Sequence, residues 1–341
     1  MLLSSAGWLY GKIADIRNAL YDRGVLRSHD LGAKTISIGN ITTGGTGKTP
    51  LVAQVAEILA DAGEKVCILT RGYGRKNERE RVLVSDWINV LADTRTGGDE
   101  PVELAGKLIG KAIVVADADR VAAAEWAKEN FGITAFVLDD GFQHRRAKRD
   151  LDIVCIDATN PFGKGTSLSR GILREPLSNL SRADVIIITR AELADDLDQL
   201  RSKILRLSPA SRIFLSRSEL ADADSGSSVG LLDIGLSAFA FCGIGNPEAF
   251  FASVRRRGYE IKGTRVFPDH HYYTQQEFRE LKREAHESGA SLLLTTWKDN
   301  VKLTELPLTS DAEEFGMLCY AATLVTTIED EKEFRDLIIS S

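Results

Sequence analysis

The chain lacks most features that assign a protein by composition alone. It has 4 cysteines in 341 residues, and Cys67, Cys155, Cys242 and Cys319 are too scattered for a disulfide scaffold or a metal finger. The first three sit in apolar, strand-like runs where a small buried thiol is the simple reading, and a reducing cytoplasm is expected. No run approaches the roughly 18 uninterrupted apolar residues of a membrane-spanning helix. The start, MLLSSAGWLYGK, carries no basic leader before its apolar residues, so a cleaved signal peptide is not expected. Positive charge is in deficit. Lys and Arg number 43 against 49 Asp and Glu, a formal net charge of −6, which is the wrong sign for a generic nucleic-acid binder. Internal repeats and low-complexity segments are also missing. What remains is ordinary for a globular protein, with 43% hydrophobic and 27% charged residues, and it argues against disordered and collagen-like classes. At roughly 150 residues per domain, the length suggests two domains.

Apolar strand-like runs at 35–39, 65–70, 112–116, 135–139, 151–156 and 185–189 alternate with helical segments. Several are nearly continuous in Val and Ile, as expected of parallel strands covered on both faces. Residues 51–62 read as a helix ending at Gly63. The polar, Gly/Ser-rich stretch 221–230 marks a linker. Beyond it, 239–244 and 291–296 read as strands, 247–257 and 275–287 as helices, and 317–326 as a further strand. Both halves are therefore α/β: a P-loop NTPase-type parallel sheet domain with a second, smaller α/β domain. The expected boundaries are an N-terminal helix to residue 27, a nucleotide-binding domain at 28–220, a linker at 221–236 and the smaller domain at 237–341. In the first segment Leu9, Ile13, Ile16 and Leu20 follow helical spacing. Trp8, Tyr10 and Tyr21 lie near them, and Lys12, Arg17, Arg23 and Arg27 are interleaved. Such a helix either packs on the domain, as most amphipathic helices do, or lies in a membrane interface.

The strongest local signal is Thr42-Thr43-Gly44-Gly45-Thr46-Gly47-Lys48-Thr49, which follows one strand and opens a helix. The glycines let backbone amides surround phosphate oxygens, Lys48 supplies a cation for the β- and γ-phosphates, and Thr49 offers a hydroxyl to Mg²⁺. The helix N-terminus adds partial positive charge, and Pro50 fits the first helical turn. Thr42 stands where the usual first glycine would be. Thr43 replaces the signature Lys of the deviant loop in membrane-associated ATPases.

Other segments offer chemistry without proving it. Asp139 and Asp140 end a hydrophobic strand, as in an element that orients Mg²⁺, or cap a turn. Arg145, Arg146, Lys148 and Arg149 form a phosphate patch or a solvated turn. Asp99, in Gly97-Gly98-Asp99-Glu100-Pro101, is a base or a turn residue. In Phe267-Pro268-Asp269-His270-His271, a histidine that titrates near neutrality can relay or orient a proton, although a polar loop is the plainer reading. Two adjacent histidines alone do not make a zinc site. Arg71 and Arg75 follow their strand directly, at the sheet edge where α/β proteins bind ligands. A GTPase guanine code is not found, since Thr296-Trp-Lys-Asp299 has the wrong spacing.

With these segments placed, the chain resembles the tetraacyldisaccharide 4'-kinase family. The resemblance rests on IGNITTGGTGKTP, LTRGYGRK, GGDEP, DADR, LDDGFQHRRAKRDLDIV, LREP, FPDHH and TTWKDNVKL, in that order across residues 36–303. It implies transfer of the ATP γ-phosphoryl group to the 4'-hydroxyl of a tetraacyl glucosamine disaccharide 1-phosphate in lipid A biosynthesis. The implied cofactors are ATP and Mg²⁺. The implied place is the cytoplasmic face of a Gram-negative inner membrane, with the N-terminal WLYGKIADIRNALYDRG as the membrane-associating start. By match to the family motifs, Asp99 is the base, His270 pairs with it, and Lys48 and Thr49 hold phosphates and Mg²⁺. Asp139, Asp140, Gln143 and Glu175 shape the metal environment, while Arg120 and Arg174 meet phosphate groups. One departure is visible: Ser167-Leu-Ser-Arg170 replaces the family's Pro-Ala-Gly-type stretch before Leu173-Arg174-Glu175-Pro176. The competing class is a membrane-associated P-loop ATPase switch.

Overall fold

The computed structural model describes residues 2–163, 171–220, 236–304, 306 and 317–341, with backbone alone for 2–10. The expected linker and the Ser167–Arg170 departure therefore lie almost wholly outside the described residues. The chain forms two compact units, Met1–Arg217 with Thr327–Ser341, and Ser218–Thr326.

The larger unit begins with α1 (Leu2–Asp22), β1 (Lys34–Asn40), α2 (Lys48–Asp61), β2 (Val66–Thr70), β3 (Val82–Ser85), α3 (Thr94–Gly97), α4 (Asp99–Lys107) and β4 (Ala112–Ala116). It continues through α5 (Arg120–Phe131), β5 (Ala135–Asp139), β6 (Leu151–Asp157), β7 (Val185–Thr189), α6 (Leu197–Leu207) and β8 (Arg212–Leu220). The smaller unit holds β9 (Ser237–Cys242), α7 (Pro247–Arg256), β10 (Glu260–Val266), α8 (Gln275–Glu287), β11 (Leu292–Thr296), α9 (Trp297–Thr304) and β12 (Cys319–Ala322). The last elements are β13 (Leu324–Ile328) and α10 (Glu331–Ser340).

The large sheet has the order β13-β8-β7-β6-β1-β5-β2-β4-β3. From β8 to β4 every pairing is parallel, and β3 runs antiparallel to β4 at its edge. Strands β2, β4, β5, β6 and β7 are buried throughout their lengths, the signature of a sheet covered on both faces. Helix α2 buries Leu51, Val52, Val55, Ile58 and Leu59, and each such side chain contributes roughly 1.5–3 kcal/mol when fully withdrawn from water. On α5 the small Ala123, Ala124 and Ala127 share a core cluster with Phe136 and Leu138 of β5. Because β1 lies between β5 and β6, the carboxyl ends of β1, β5 and β2 open side by side, where doubly wound sheets bind ligands.

The smaller unit is a four-stranded parallel sheet in the order β10-β9-β11-β12. Its last expected strand, 317–326, is divided between β12 and β13, and β13 pairs into the large sheet beside β8. The C-terminal segment assigned by sequence to the smaller domain therefore belongs to the larger unit from Thr327 onward. There Phe334 of α10 packs edge-on against Phe214, at a centroid distance of 5.4 Å.

Candidate active site

The loop between β1 and α2 is held from several sides. Gly44 and Gly47 take positive φ, 99° and 75°, and Gly47 in the left-handed region precedes the first turn of α2. The helix thus starts at Lys48 rather than at Leu51, so Lys48 and Thr49 lie within its N-terminal turn, where free amides favour an anion. Thr42 needs no glycine's freedom because its backbone is extended: it forms an antiparallel bridge with Leu173. Thr43 N donates to Ile172 O at 2.7 Å, and Arg174 N donates to Ile41 O at 2.7 Å. Asn40 Nδ2 donates to Thr46 Oγ1 at 2.9 Å, and Gln143 Nε2 to Asn40 O at 2.9 Å. From the next strands Thr189 Oγ1 reaches Thr46 O at 2.8 Å and Arg190 reaches Gly45 O at 2.9 Å, with Asp157 paired to Arg190. Sequence reasoning passed over Asn40, Asp157, Thr189 and Arg190. Their only signal was position, at the carboxyl ends of β1, β6 and β7.

The two acids after β5 are differentiated by their surroundings. Asp139 is buried and accepts Thr70 Oγ1 at 2.9 Å. Burial, then repulsion from Glu100 and Asp140, lifts its carboxyl to about 6 despite Lys48. Burial would raise Asp140 also, but Lys48 and Arg174 outweigh it and bring it to about 2. Lys48 Nζ lies 3.4 Å from Asp140 Oδ1, and Arg174 Nη1 lies 2.5 Å from Oδ2. Asp140 adopts φ 52°, a conformation tolerated by Asp more readily than by most residues. The turn depends on the next position: a Cβ at Gly141 would fall 2.6 Å from Ser37 Oγ and 2.7 Å from Leu138 Cβ. Arg120, first residue of α5, is buried. Burial pulls its pKa down while the charges of Asp139 and Asp140 oppose that pull. Its guanidinium stays charged and adds a cation to this acidic pair.

Asp99 begins helix α4 rather than occupying a simple turn, with Gly98 as the preceding cap at φ 94°. It is buried, and its Oδ1 accepts the Glu100 amide at 3.0 Å. A Cβ at Gly98 would sit 3.4 Å from Gly72 Cα, so the Asp99 turn abuts the loop after β2. The repulsion of Asp139 by Glu100 brings the same turn to the acids. Lys48, Thr49, Asp139, Asp140, Gln143, Arg120, Arg174 and the start of α4 thus share one sheet edge. His270 belongs to the smaller unit, in the loop after β10.

Among the described residues no group of three or more His, Cys, Asp and Glu is disposed to hold a metal ion. The donor set nevertheless fits a hard divalent cation bound largely through water and phosphate oxygens, as Mg²⁺ usually is. Buried oxygens Asn40 Oδ1 and Gln143 Oε1 accept no hydrogen bond, and such acceptors are costly unless something positive meets them.

A family model for tetraacyldisaccharide-1-P 4'-kinase matches residues 1–341. The chain belongs to this kinase family. A tetraacyldisaccharide 4'-kinase from Chlorobium phaeovibrioides is 38% identical over 340 residues, covering 98% of this chain and 96% of its own length. One from Geobacter metallireducens is 38% identical over 331 residues, covering 96% and 94%. A crystal structure of LpxK from Aquifex aeolicus in complex with ATP, 30% identical, aligns with a TM-score of 0.74 over 100% of this chain and 99% of that one.

Within the tetraacyldisaccharide-1-P 4'-kinase family fold, one expectation needs correction. Glu175 is not available as a metal ligand. It is wholly buried, and its carboxylate accepts Asn18 Nδ2 at 2.9 Å, Asn179 Nδ2 at 3.0 Å, and Arg182 Nη2 at 2.9 and 3.1 Å. It therefore ties α1 to the 3-10 turn Leu177–Arg182. Glu175→Ala is expected to lower unfolding stability by about 3 kcal/mol, the typical cost of stranding a buried charge partner, with Mg²⁺ dependence unchanged. Chemical denaturation and a Mg²⁺ titration of activity check this. An altered Mg²⁺ requirement at wild-type stability would restore the ligand role.

Arg75 is buried, donates to Glu78 O at 3.1 Å and would crowd a Cβ at Gly72 at 2.8 Å. It supports the loop that meets Gly97 and Gly98, while its buried Nε and Nη1 have no hydrogen-bond partner, donors that an anionic group would satisfy. Arg71, by contrast, is largely exposed and lies 3.6 Å from Glu78. The basic run 145–149 is internally spent. Arg145 pairs with Asp22 of α1, Arg146 with Asp119, Lys148 with Asp30 and Arg149 with Asp152. Between them, burial and then the charge of Arg120 push His144 down to about 4, so it is neutral near pH 7.

Proposed function

We propose that this kinase transfers the γ-phosphoryl group of ATP to the 4'-hydroxyl of a tetraacyl disaccharide 1-phosphate, with ADP as leaving group. The observation that carries the assignment of roles is the convergence of the phosphate loop, the two unlike carboxylates and the start of α4 at one sheet edge. Of the loop Thr42 to Thr49, the residues from Gly44 onward offer backbone amides to the phosphates, and Lys48 turns its charge to the β- and γ-oxygens. Thr49, Asp139, Asp140 and Gln143 hold Mg²⁺ or its waters. The bound ion supplies charge neutralisation on the phosphate oxygens. Asp99 accepts the hydroxyl proton as the oxygen bonds to phosphorus and the bridging oxygen leaves with ADP. The family resemblance gives His270, in the smaller unit, the role of partner to this base. Arg71, Arg120 and Arg174 meet phosphate groups of nucleotide and lipid. Incubation of the protein with ATP, Mg²⁺ and the disaccharide 1-phosphate lipid tests this reading. Mass spectrometry should show one added phosphate, and ADP formation without a phosphorylated lipid would favour the ATPase switch.

The same reading places the enzyme peripherally on the cytoplasmic face of the inner membrane. No described helix is long and apolar enough to cross a membrane. Among the described side chains of α1, those of residues 11–22, the buried positions are Gly11, Ala14 and Asn18. Ile13 and Ile16 are 57% and 60% exposed, with Val25 at 65% just beyond, and Lys12, Arg23 and Arg27 are exposed beside them. Exposed aliphatics among cations suit an anionic lipid interface. The double variant Ile13→Asp, Ile16→Asp should shift the protein from vesicles of anionic phospholipid to the supernatant in a sedimentation assay, with its thermal midpoint little changed. Undiminished co-sedimentation would count against α1 as the docking element.

A further inference from the structure

His270 is held in an unusual backbone state. Its φ is 63°, a left-handed conformation that persists in a side-chain-bearing residue only where neighbours fix it. Its amide donates to Gly243 O at 3.3 Å and to Asp269 Oδ1 at 3.0 Å. Both acceptors lead to the first turn of α9, in the sequence Thr296-Trp-Lys-Asp299 that carried no role above.

Lys298 Nζ lies 3.3 Å from the same Asp269 oxygen. Asp269 Oδ2 is 3.8 Å from His270 Nε2, so the lysine competes with the imidazole for this carboxylate. Asp299 is wholly buried. Its Oδ2 accepts the Gly243 amide at 3.0 Å and Thr296 Oγ1 at 2.6 Å, while the Asp299 amide donates to Thr296 Oγ1 at 3.2 Å. The packing leaves no slack. A Cβ at Gly243 would fall 3.0 Å from Pro268 O, 3.2 Å from Asp299 Oδ1 and 3.3 Å from His271 Cβ.

We propose that Lys298 and Asp299 are positioning residues: from one helix turn they clamp the two acceptors of the His270 amide and so aim its imidazole. Lys298 acts through Asp269, and Asp299 acts through Gly243. This rests on the reading of His270 as part of the catalytic machinery, and the experiment separates the two claims.

Lys298→Met, Lys298→Arg, Asp299→Asn and His270→Ala are compared in the full-length enzyme. Lys298→Met should lower kcat roughly ten-fold, as small misplacements of reacting groups do, with KM for ATP unchanged and Lys298→Arg restoring most of the loss. The double variant His270→Ala, Lys298→Met should be no slower than His270→Ala alone. Nuclear magnetic resonance of ring-labelled histidine should show the His270 signal displaced in Lys298→Met and that of His286 unmoved. An unmoved His270 signal, or independent losses in the double variant, would overturn the positioning role. A wild-type kcat for His270→Ala would overturn the reading of His270 itself, while the resonance still reports on the clamp. If Asp299→Asn fails to fold, Lys298→Met carries the test, because Lys298 reaches Asp269 from a partly exposed site.

Discussion

Lys48→Ala is expected to lower kcat by roughly 10²–10³, the usual cost of removing one preorganised charge from a transition state. Lys48 stands in the N-terminal turn of α2 and also touches Asp140, so it bridges the phosphate loop and the acids after β5. Its removal takes away charge that stabilises the transferring phosphoryl group, and it relieves the pull that keeps Asp140 low. Lys48→Arg should not rescue the rate, since a planar guanidinium does not reproduce a compact ammonium. Rapid-quench measurement at saturating ATP checks this. The circular dichroism spectrum should be unchanged, because Lys48 is not among the buried apolar residues that pack α2.

Asp99→Ala is expected to reduce kcat by roughly 10²–10⁴, the range for loss of a general base, with KM for ATP little altered. The reason lies in its setting. Asp99 opens α4 behind a glycine that a side-chain-bearing residue would strain at φ 94°, so the carboxylate is placed by backbone rather than by a flexible loop. Asp99→Asn keeps the shape and the helix start but cannot take the proton, and it should be as slow as the alanine variant. Steady-state kinetics with both variants distinguish a proton acceptor from a structural cap. A cap role would let Asn recover nearly full activity.

The parts of this site that are local in sequence were legible there. The phosphate loop is a strand, a glycine-rich turn and a helix in one run of chain, and Asp139–Asp140 end an unmistakable buried strand. The large parallel sheet followed from repeated Val- and Ile-rich runs. What sequence reading missed depends on residues far apart in the chain. Glu175 is anchored by Asn18, 157 positions away, and no local pattern distinguishes such a clamp from a metal ligand. Arg75 resembles Arg71 in sequence, but the turn at Gly72 buries one and exposes the other. The return of β13 to the large sheet turned on the pairing partner of a short Val- and Thr-rich segment, which alternation alone does not specify. Spacing left two roles open for the apolar stripe of α1; among its described side chains the packed face is Ala14–Asn18, where Asn18 meets Glu175 and Arg182.

The most direct test of the central claim is the coupling between nucleotide turnover and lipid phosphorylation. ADP release and incorporation of phosphate at the 4' position are measured together, with and without the tetraacyl disaccharide 1-phosphate. A site in which Lys48, Asp99, Asp139 and Asp140 serve transfer predicts one ADP per phosphorylated lipid and almost none without lipid. Equal ADP release in both conditions, with no phosphate at the 4' position, would contradict it.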